Sequence, residues 1–422
     1  MRRMPCGGWC RRPKEIFIES DDNVMKSVIE NKNIVLGVSG GIAAYKSAEL
    51  LRLFIKEGAS VRVIMTRNAQ AFVGPLTFEA LSRQMVCTSL FEKSGDASIK
   101  HIEWAEKADV AVIAPATANI IGKLANGIAD DALSTFMLAV TCPAILCPSM
   151  NTHMFESNAV QRNLGMLRSD GYFVIDPESG NLACGSYGPG RLPEPEDILD
   201  RTVYFITSKD LQGKKILVTA GPTREPIDPV RFISNPSSGK MGFAVARAAE
   251  YRGAEVTLIT GPSNLLNPNH VRVIRVNTAQ EMAQAVFEYM EYSDIIIKAA
   301  AVSDYRPINS STQKIKKQEE QLVLSLEKTR DILKEIGRNK NGKILIGFAA
   351  ETEHLEQHAQ KKLEEKNLDI IVANIVGYPD SGFDADTNTV TLFYKDRTIE
   401  ALPKMTKMEV ANLLLDRIVK MI

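Results

Sequence analysis

Short apolar runs alternate with helical patterns along the first half of the chain. The run NIVLGVS at 33–39 is followed by a helical pattern at 43–57 and by the run SVRVIMT at 60–66. Two further apolar runs, at 109–117 and 143–151, stop at turns rich in Gly, Pro or Asn. Continuous apolar strands separated by helices predict a parallel sheet that is covered on both faces.

The same pattern starts again at residue 214. The strand-like run KKILVTAGPT (214–223) enters a Gly/Pro turn, a helical pattern covers 240–253, and the strand-like run EVTLIT covers 255–260. Two later apolar segments, 293–304 and 343–352, repeat the theme. The sequence therefore predicts an α/β protein with two successive doubly wound, mainly parallel-sheet domains.

The composition of two segments predicts where these domains begin and end. The stretch 193–213 is polar and begins with Pro-rich sequence, so it predicts a linker between domains at 33–192 and 214–422. The basic N-terminal residues carry no apolar region of a secretory signal, and 1–32 is predicted to be a disordered or extended segment.

Charge and cysteine content exclude several classes of protein. The chain has 422 residues, with 51 Lys and Arg against 51 Asp and Glu, so bulk electrostatics do not favour a nucleic-acid partner. No apolar run reaches the ~18–20 residues that span a bilayer, and we expect no membrane partner. Six cysteines are too few for a disulfide scaffold and predict a reducing, cytoplasmic location.

Glycine-rich and polar segments follow the predicted strands of the first half. GVSGGIAAYK (37–46) is a glycine turn between a strand and a helix, where backbone N–H groups can approach an anion. By itself this turn fits a phosphate site and a tight structural turn equally well. His101 has apolar neighbours on a predicted helix, and a lone His is more often structural than catalytic. Cys184 lies among glycines in ACGSYGPGR (183–191), outside any apolar element, which makes it a candidate reactive thiol.

Six segments in fixed order carry a resemblance to a known family. They are GVSGGIAAYK, VRVIMT, KHIEWAEKAD, IAPATAN, PSMN and ACGSYGPGR. Together they resemble the flavin-dependent cysteine decarboxylases, and in particular the phosphopantothenoylcysteine decarboxylases. The resemblance implies a flavodoxin-like domain with bound FMN, which accepts a hydride before decarboxylation and returns it afterwards.

The resemblance also implies roles for individual residues. His101 matches the family's catalytic base, Asn151 the amide that holds the substrate carboxylate, and Cys184 the acid that protonates the enethiolate. The residues that match flavin-binding segments are Ser39, Gly40, Gly41, Ile42, Thr66, Pro115, Thr117 and Asn119. In this family the flavin pocket is shared between neighbouring subunits of a trimer.

The second half carries its own set of motifs. They are AGPTREPIDPVRFISNPSSGKMG (220–242), AAVSDYRP (300–307), KIKK (314–317) and GFAAET (347–352). In isolation KIKK is typical of a solvated loop, and NPSSGKMG of a serine-capped helix start. In this order the segments resemble phosphopantothenate–cysteine ligase. The resemblance implies a Rossmann-like domain that uses CTP to activate the carboxylate of 4'-phosphopantothenate as an acyl-cytidylate, which the cysteine amine attacks.

Site residues of this half follow from the same resemblance. Asn235 matches an Asn that contacts the acyl nucleotide, Arg231 a nearby basic partner, and Lys314 the catalytic Lys. The positions that match CTP contacts are Lys298, Ala299, Ala300, Asp304, Lys314, Thr329, Arg330, Asp331, Ile332, Phe348, Lys362 and Lys366. Mg²⁺ is expected to be held mainly by the CTP phosphates, so no metal ligand is assigned. The chain departs from the family at Pro236, where His is frequent, and at Arg330, where Pro is frequent.

The two halves together resemble the bacterial bifunctional enzymes of coenzyme A biosynthesis over roughly residues 33–420. The resemblance implies ligation followed by decarboxylation to 4'-phosphopantetheine. A trimeric decarboxylase and a dimeric ligase on one chain imply a homo-oligomer that closes as a dodecamer.

Two alternatives come from other classes: a flavin reductase with a nicotinamide site, and a non-enzymatic regulatory flavoprotein. The KIKK and NPSSGKMG segments without GxGxxG disfavour the reductase, and the set His101, Asn151 and Cys184 disfavours the regulator.

Overall fold

A computed structural model describes residues 28–90, 100–182, 185, 187–316, 322–351, 353–375 and 385–422, apart from the side chains of Lys100, His101 and Ile375. These residues form two compact units that divide between Thr207 and Ser208. The predictions for residues 1–27 and for Cys184 lie outside the described residues.

A five-stranded parallel sheet forms the centre of the first unit. Its strands are β1 (Asn33–Val38), β2 (Ser60–Met65), β3 (Val110–Ala116), β4 (Ala144–Pro148) and β5 (Phe173–Val174). The strand order is β2-β1-β3-β4-β5, which is the order of flavodoxin. An antiparallel hairpin follows, formed by β6 (Glu178–Asn181) and β7 (Tyr187–Arg191).

Helices cover both faces of this sheet. They are α1 (Ala44–Lys56), α2 (Pro75–Ser82), α3 (Lys100–Lys107), α4 (Ala118–Ala125), α5 (Ala132–Ala139), α6 (Thr152–Phe155), α7 (Asn158–Ser169) and α8 (Pro195–Ile206), with a 3₁₀ turn at Ala69–Ala71. Successive residues of β1 point to opposite sides. Leu36 packs in the core beneath α1 and α8, whereas Val35 packs in the core beneath α4 and α5. Burial on both faces explains why the strand sequences are continuously apolar.

The second unit has an eight-stranded sheet. Its strands and short hairpin strands are β8 (Lys215–Ala220), β9 (Arg224–Pro226), β10 (Phe232–Ser234), β11 (Glu255–Thr260), β12 (Arg272–Arg275), β13 (Ile295–Lys298), β14 (Tyr305–Pro307), β15 (Leu326–Lys328), β16 (Ile344–Glu351), β17 (Ile370–Ile375), β18 (Thr387–Asn388), β19 (Val390–Tyr394), β20 (Ile399–Ala401) and β21 (Met405–Thr406). The order is β12-β11-β8-β13-β16-β17-β19-β20. Its first six strands are parallel and follow the 3-2-1-4-5-6 order of a Rossmann fold, and the last two are antiparallel.

Five helices complete the second unit: α9 (Lys240–Tyr251), α10 (Ala279–Met290), α11 (Ile332–Arg338), α12 (Leu355–Glu365) and α13 (Lys407–Val419). Val218 of β8 packs in a core that includes residues of α9 and α13, and Leu217 packs in a second core with residues of α10 and α11. The fold class predicted from the sequence is therefore confirmed. None of the described helices is long and apolar enough to cross a bilayer.

The predicted domain limits need two corrections. Ile29 is fully buried in the core of the first unit, so residues 28–32 are packed structure and do not belong to an extended segment. The predicted linker contains α8, which packs on α1 because Ile198 is buried against the apolar face of that helix. Prolines at its start resemble linker sequence, but Pro195 occupies the first turn of a helix, where a missing N–H costs nothing.

Candidate functional sites

A cavity of about 840 Å³ lies at the carboxyl edge of the first sheet. The loops that follow β1, β2, β3 and β4 form its walls, as expected for a doubly wound sheet. The predicted residues that line it are Ser39, Gly40, Gly41, Ile42, Thr66, Thr117, Asn119 and Asn151. We refer to it as the first-unit cavity.

Ser39 links two of these loops and is almost fully buried. Its hydroxyl donates a hydrogen bond to the carbonyl oxygen of Pro115 at 2.8 Å and accepts one from the Thr117 N–H at 3.0 Å. The hydroxyl is therefore used within the protein, and Ser39 shapes the cavity by holding the β1 and β3 loops together. Pro115 does not line the cavity and contributes through this bond.

Gly40 brings the main chain close to the next loop. A Cβ atom at this position would lie 2.4 Å from the Cβ of Asn68 and 2.8 Å from its carbonyl carbon. At the neighbouring Gly41 the nearest atom would be the Thr117 methyl carbon at 3.5 Å, an ordinary contact. Only a glycine fits at position 40, so the cavity floor is made of main chain that a planar or anionic ligand can approach.

Asn151 begins α6 and lies at the same cavity. Its side-chain oxygen accepts a hydrogen bond from the His153 N–H at 2.9 Å. The β6–β7 hairpin is fixed beside this segment, since the Met150 N–H donates to the Gly190 carbonyl oxygen at 3.0 Å. Strand β7 is thus attached next to Asn151. His101 lies in the first turn of α3, and its side chain is outside the description.

Ionic pairs that the sequence did not indicate also line the first-unit cavity. The Lys123 ammonium lies 2.6 Å from Asp130 and 2.7 Å from Asp131. Burial opposes the positive charge, but the hydrogen bonds that the ammonium donates to both carboxylates outweigh it and raise the pKa of Lys123. Lys46 lies 2.9 Å from Glu194, which also pairs with Arg191. Lys46 and Glu194 are 148 residues apart and meet only in the folded unit, whereas the other pairs are local but have spacings that do not indicate a site.

A second cavity, of about 630 Å³, lies at the carboxyl edge of the second sheet. The predicted residues that line it are Asn235, Lys298, Ala299, Ala300, Asp304, Thr329, Arg330, Asp331, Ile332, Phe348, Lys362 and Lys366. Strand β13, loop 299–304, the start of α11 and one face of α12 bring these positions together. We refer to it as the second-unit cavity.

Asn235 joins two sides of this cavity. Its side-chain amide donates hydrogen bonds to the carbonyl oxygens of Ala301 and Val302, each at 3.2 Å. The Ala300 N–H in turn donates to the Thr219 hydroxyl at 3.2 Å. These bonds fix the backbone after β13 at the point where strand order reverses beside β8, which is where such sheets bind ligands.

Positive charge dominates the second-unit cavity. Lys362 pairs with Glu351 at 2.6 Å, and Lys366 pairs with Asp331 at 3.0 Å. Burial acts against the Asp331 carboxylate, but hydrogen bonds from the Lys334 N–H and from Lys366 lower its pKa. Burial and the nearby charge of Lys366 lower the pKa of Lys298 to about 8. Such a cluster favours a ligand with several negative charges.

Arg231 and Lys314 are placed away from this cavity. Both are described, and neither lines it. Arg231 lies in the β9–β10 turn, where its guanidinium contacts Asp228 at 3.3 Å, and Lys314 is exposed on a loop beside that turn. The expectation that Lys314 contacts the nucleotide together with Lys298 is therefore not met within this cavity. The two predicted residues instead lie near each other.

Several lining residues escaped the sequence analysis. They are Lys240, Met241, Tyr305, Lys328, Asn374, Asn388 and Lys407. Lys240 lies in the SNPSSGKMG motif, and this motif could have indicated that it lines the cavity. Asn388 and Lys407 come from the C-terminal part of the chain and reach the cavity through the short β18–β21 pairing, which no local pattern predicts.

Both departures from the family pattern lie at the second-unit cavity. Pro236 follows Asn235 in its wall. The Arg330 guanidinium pairs with Glu335 and lies 4.4 Å from the centre of the Phe287 ring. Its charge is therefore partly neutralised by Glu335 of α11.

Among the described residues, no group of three or more His, Cys, Asp and Glu side chains could hold a metal ion.

Comparisons with known proteins agree with this division of the chain. A family model described as Flavoprotein matches residues 23–207, and one described as DNA/pantothenate metabolism flavoprotein C-terminal domain matches residues 211–422. The "Coenzyme A biosynthesis bifunctional protein CoaBC" of Bacillus subtilis is 50% identical over 395 residues, which cover 93% of this chain and 97% of that protein. The protein of the same name from Escherichia coli K12 is 46% identical over 396 residues, with the same two coverages.

A solved structure is also similar. It is the crystal structure of the C-terminal domain of a coenzyme A biosynthesis bifunctional protein CoaBC, 48% identical, covering 51% of this chain and 98% of its own, with a TM-score of 0.44.

Proposed function

Because this chain belongs to the family of bifunctional coenzyme A biosynthesis proteins, we propose how its two units divide the chemistry. The chain is an enzyme of coenzyme A biosynthesis with a flavoprotein decarboxylase unit and a ligase unit. We propose that the second unit joins cysteine to 4'-phosphopantothenate with CTP. The FMN-binding first unit then decarboxylates the phosphopantothenoylcysteine to 4'-phosphopantetheine.

One observation carries the ligase proposal: seven cationic side chains line the second-unit cavity against two carboxylates. The cations are Lys240, Lys298, Lys328, Arg330, Lys362, Lys366 and Lys407, and the carboxylates are Asp304 and Asp331. A nucleoside triphosphate with Mg²⁺ supplies the charge that such a cavity attracts. Since no protein metal site is assigned, we expect the phosphate oxygens and water to hold most of the Mg²⁺ coordination.

In this scheme the ligase residues act by position and charge. A carboxylate is a poor electrophile. Transfer of the cytidylyl group from CTP to it, with release of pyrophosphate, creates a mixed anhydride, which the cysteine amine can attack with release of CMP. The cations of α12 and β13 hold the phosphates, and Asn235 orients the acyl nucleotide near the backbone after β13. Lys314 is the proposed catalytic cation, and Arg231 its basic partner.

The first-unit cavity fits a flavin by its shape. Its glycine floor excludes a side chain at position 40, and its loops are tied together by Ser39. Bound FMN would supply a reversible hydride acceptor, which makes loss of CO₂ from the oxidised substrate possible. Among the chain's own residues, we propose that Asn151 orients the substrate carboxylate, His101 acts as base, and Cys184 donates the proton to the enethiolate.

The resemblance extends to assembly and location. We infer a cytoplasmic homo-oligomer in which decarboxylase units form trimers and ligase units form dimers, giving a dodecamer. Analytical ultracentrifugation of the full chain tests this inference, since a monomeric flavin-loaded enzyme with full activity would contradict it.

The first experiment is a product analysis with the purified, flavin-loaded protein. We expect 4'-phosphopantothenate, cysteine, CTP and Mg²⁺ to give 4'-phosphopantetheine by mass spectrometry, and we expect the reaction to require the nucleotide. Product that stops at phosphopantothenoylcysteine would contradict the roles of His101, Asn151 and Cys184. Equal rates with ATP would contradict the CTP assignment, and no coupling at all would favour the reductase or the regulatory flavoprotein.

A further inference from the structure

The carboxylate of Asp228 connects two segments that are far apart in sequence. Asp228 is 3% exposed and lies in the turn between β9 and β10. One carboxylate oxygen, Oδ1, accepts hydrogen bonds from the N–H groups of Val230 and Arg231, each at 2.8 Å. The other oxygen, Oδ2, accepts one from the Ile315 N–H at 3.2 Å and lies 3.3 Å from the Arg231 guanidinium. Oδ1 therefore accepts hydrogen bonds within the turn, and Oδ2 connects the turn to residue 315.

The Arg231 guanidinium forms a second connection between the turn and Ile315. Its Nη1 donates to the carbonyl oxygen of Ile315 at 3.4 Å, so both main-chain groups of Ile315 are held by this turn. The Ser311 N–H also donates to the Ile227 carbonyl oxygen at 2.9 Å. Segment 311–316 is therefore attached at two points, on either side of Lys314.

We propose that Asp228 is a positioning residue of the ligase and that it holds Lys314 through the main chain of Ile315. This inference rests on the proposed catalytic role of Lys314. Lys314 is exposed and sits on a loop without helix or strand, so its own side chain has no packing to fix it. A carboxylate acceptor makes a stronger hydrogen bond than a neutral one, and Asp228 stays ionised because hydrogen bonds from three N–H groups and the Arg231 charge outweigh burial and lower its pKa.

The variant Asp228→Asn separates the two tasks of the side chain. Its amide oxygen can still serve the turn at Val230 and Arg231, whereas its NH₂ group faces the Ile315 N–H and the guanidinium. We expect the kcat for ligation to fall about 10- to 100-fold, as for displacement of a catalytic group by about 1 Å. We expect KM for CTP to stay within about twofold, because the second-unit cavity does not contain Asp228.

Glu225→Gln is the matched control. Glu225 lies three residues earlier on β9 and is equally buried, but its carboxylate accepts from the Ala279 N–H at the start of α10. It therefore tests the effect of losing a buried carboxylate in this hairpin without touching segment 311–316. Decarboxylation of supplied phosphopantothenoylcysteine should be unchanged in both variants and reports on correct folding of the rest of the chain.

A double-mutant cycle with Lys314→Gln distinguishes positioning from general destabilisation. If Asp228 acts through Lys314, the double variant should ligate no more slowly than Lys314→Gln alone. Additive losses, or an equal loss in Glu225→Gln, would overturn the proposal.

Amide hydrogen exchange tests the connection without activity. The Ile315 amide should exchange faster in Asp228→Asn than in the parent and in Glu225→Gln. Unchanged exchange would overturn the connection itself. A fully active Lys314→Gln together with faster exchange would instead contradict the catalytic role of Lys314, which belongs to the proposed function.

Discussion

The two cavities occupy the same place in two related sheets but are built by different means. The first-unit cavity has a main-chain floor, and three of its cations, Lys46, Lys123 and Arg191, are neutralised by nearby carboxylates. The second-unit cavity is lined by seven cations, four of which, Lys240, Arg330, Lys362 and Lys366, also pair with carboxylates, and Lys298 lies beside the charge of Lys366. The comparison teaches that sheet topology fixes where a ligand binds, whereas loop composition fixes whether shape or charge selects it.

The largest effect is expected from Gly40→Ala, which tests whether the shape of the first-unit cavity determines flavin binding. The added methyl group would overlap the Asn68 main chain, so the loop must move. We expect flavin affinity to fall about 100-fold, towards the upper end of overpacking effects. Flavin absorbance per chain after desalting measures the loss. Gly41→Ala is the control, since its methyl group meets only an ordinary contact, and similar flavin loss in both variants would contradict the steric explanation.

In the second-unit cavity, CTP affinity should be most sensitive to substitution of Lys366. Lys366→Met removes a cation that lies beside Asp331 and acts on Lys298. We expect KM for CTP to rise about tenfold, the effect of one charge-assisted contact, with flavin content unchanged. Initial-rate kinetics measure it. Lys361→Met, on the exposed face of the same helix, is the control. Equal effects of the two variants would mean that the phosphates lie elsewhere.

We expect Lys298 to make binding of the proposed nucleotide dependent on pH. Below about pH 8 its ammonium is charged and attracts the phosphates, and above that value binding must first restore the proton. KM for CTP should therefore rise between pH 8 and pH 9, by at most about tenfold. The comparison of KM values at three pH settings measures the slope. Lys298→Arg should remove the slope and keep the affinity, and a parental slope in Lys298→Met would assign the titration to another group.

The smallest effect should come from Glu351, which pairs with Lys362 and would compete for it with the phosphates of the proposed nucleotide. Glu351→Gln frees this cation, so we expect KM for CTP to fall two- to fivefold, within the range of a partly exposed ion pair. High salt should reduce the difference between the variant and the parent. A higher KM in the variant would show that Glu351 holds Lys362 in its binding position.

The positions of both cavities were predictable because the strands are apolar and end in polar or glycine-rich loops. Parallel strands place such loops at one edge, which is why Gly40, Thr117 and Asn151 meet in one unit, and why Ala300 follows β13 at the cavity of the other. The ion pair of Lys123 with Asp131 could not be predicted, since carboxylates and lysines at these spacings are common on solvated surfaces. The helix α8 was not predicted, because the prolines and acidic residues at its start are equally typical of linkers.

Sequence alone determined the fold class, the two-part division and the order of the motifs, because these depend on local periodicity and on residues close together in the chain. Tertiary structure decided which side chains share a cavity and which do not. It placed Lys407 and Asn388 at the second-unit cavity through a short strand pairing near the C-terminus. It placed Arg231 and Ile315, the neighbour of Lys314, on Asp228, outside that cavity. Such contacts depend on how segments that are distant in sequence meet at the edge of a sheet. The local pattern of residues does not specify that geometry.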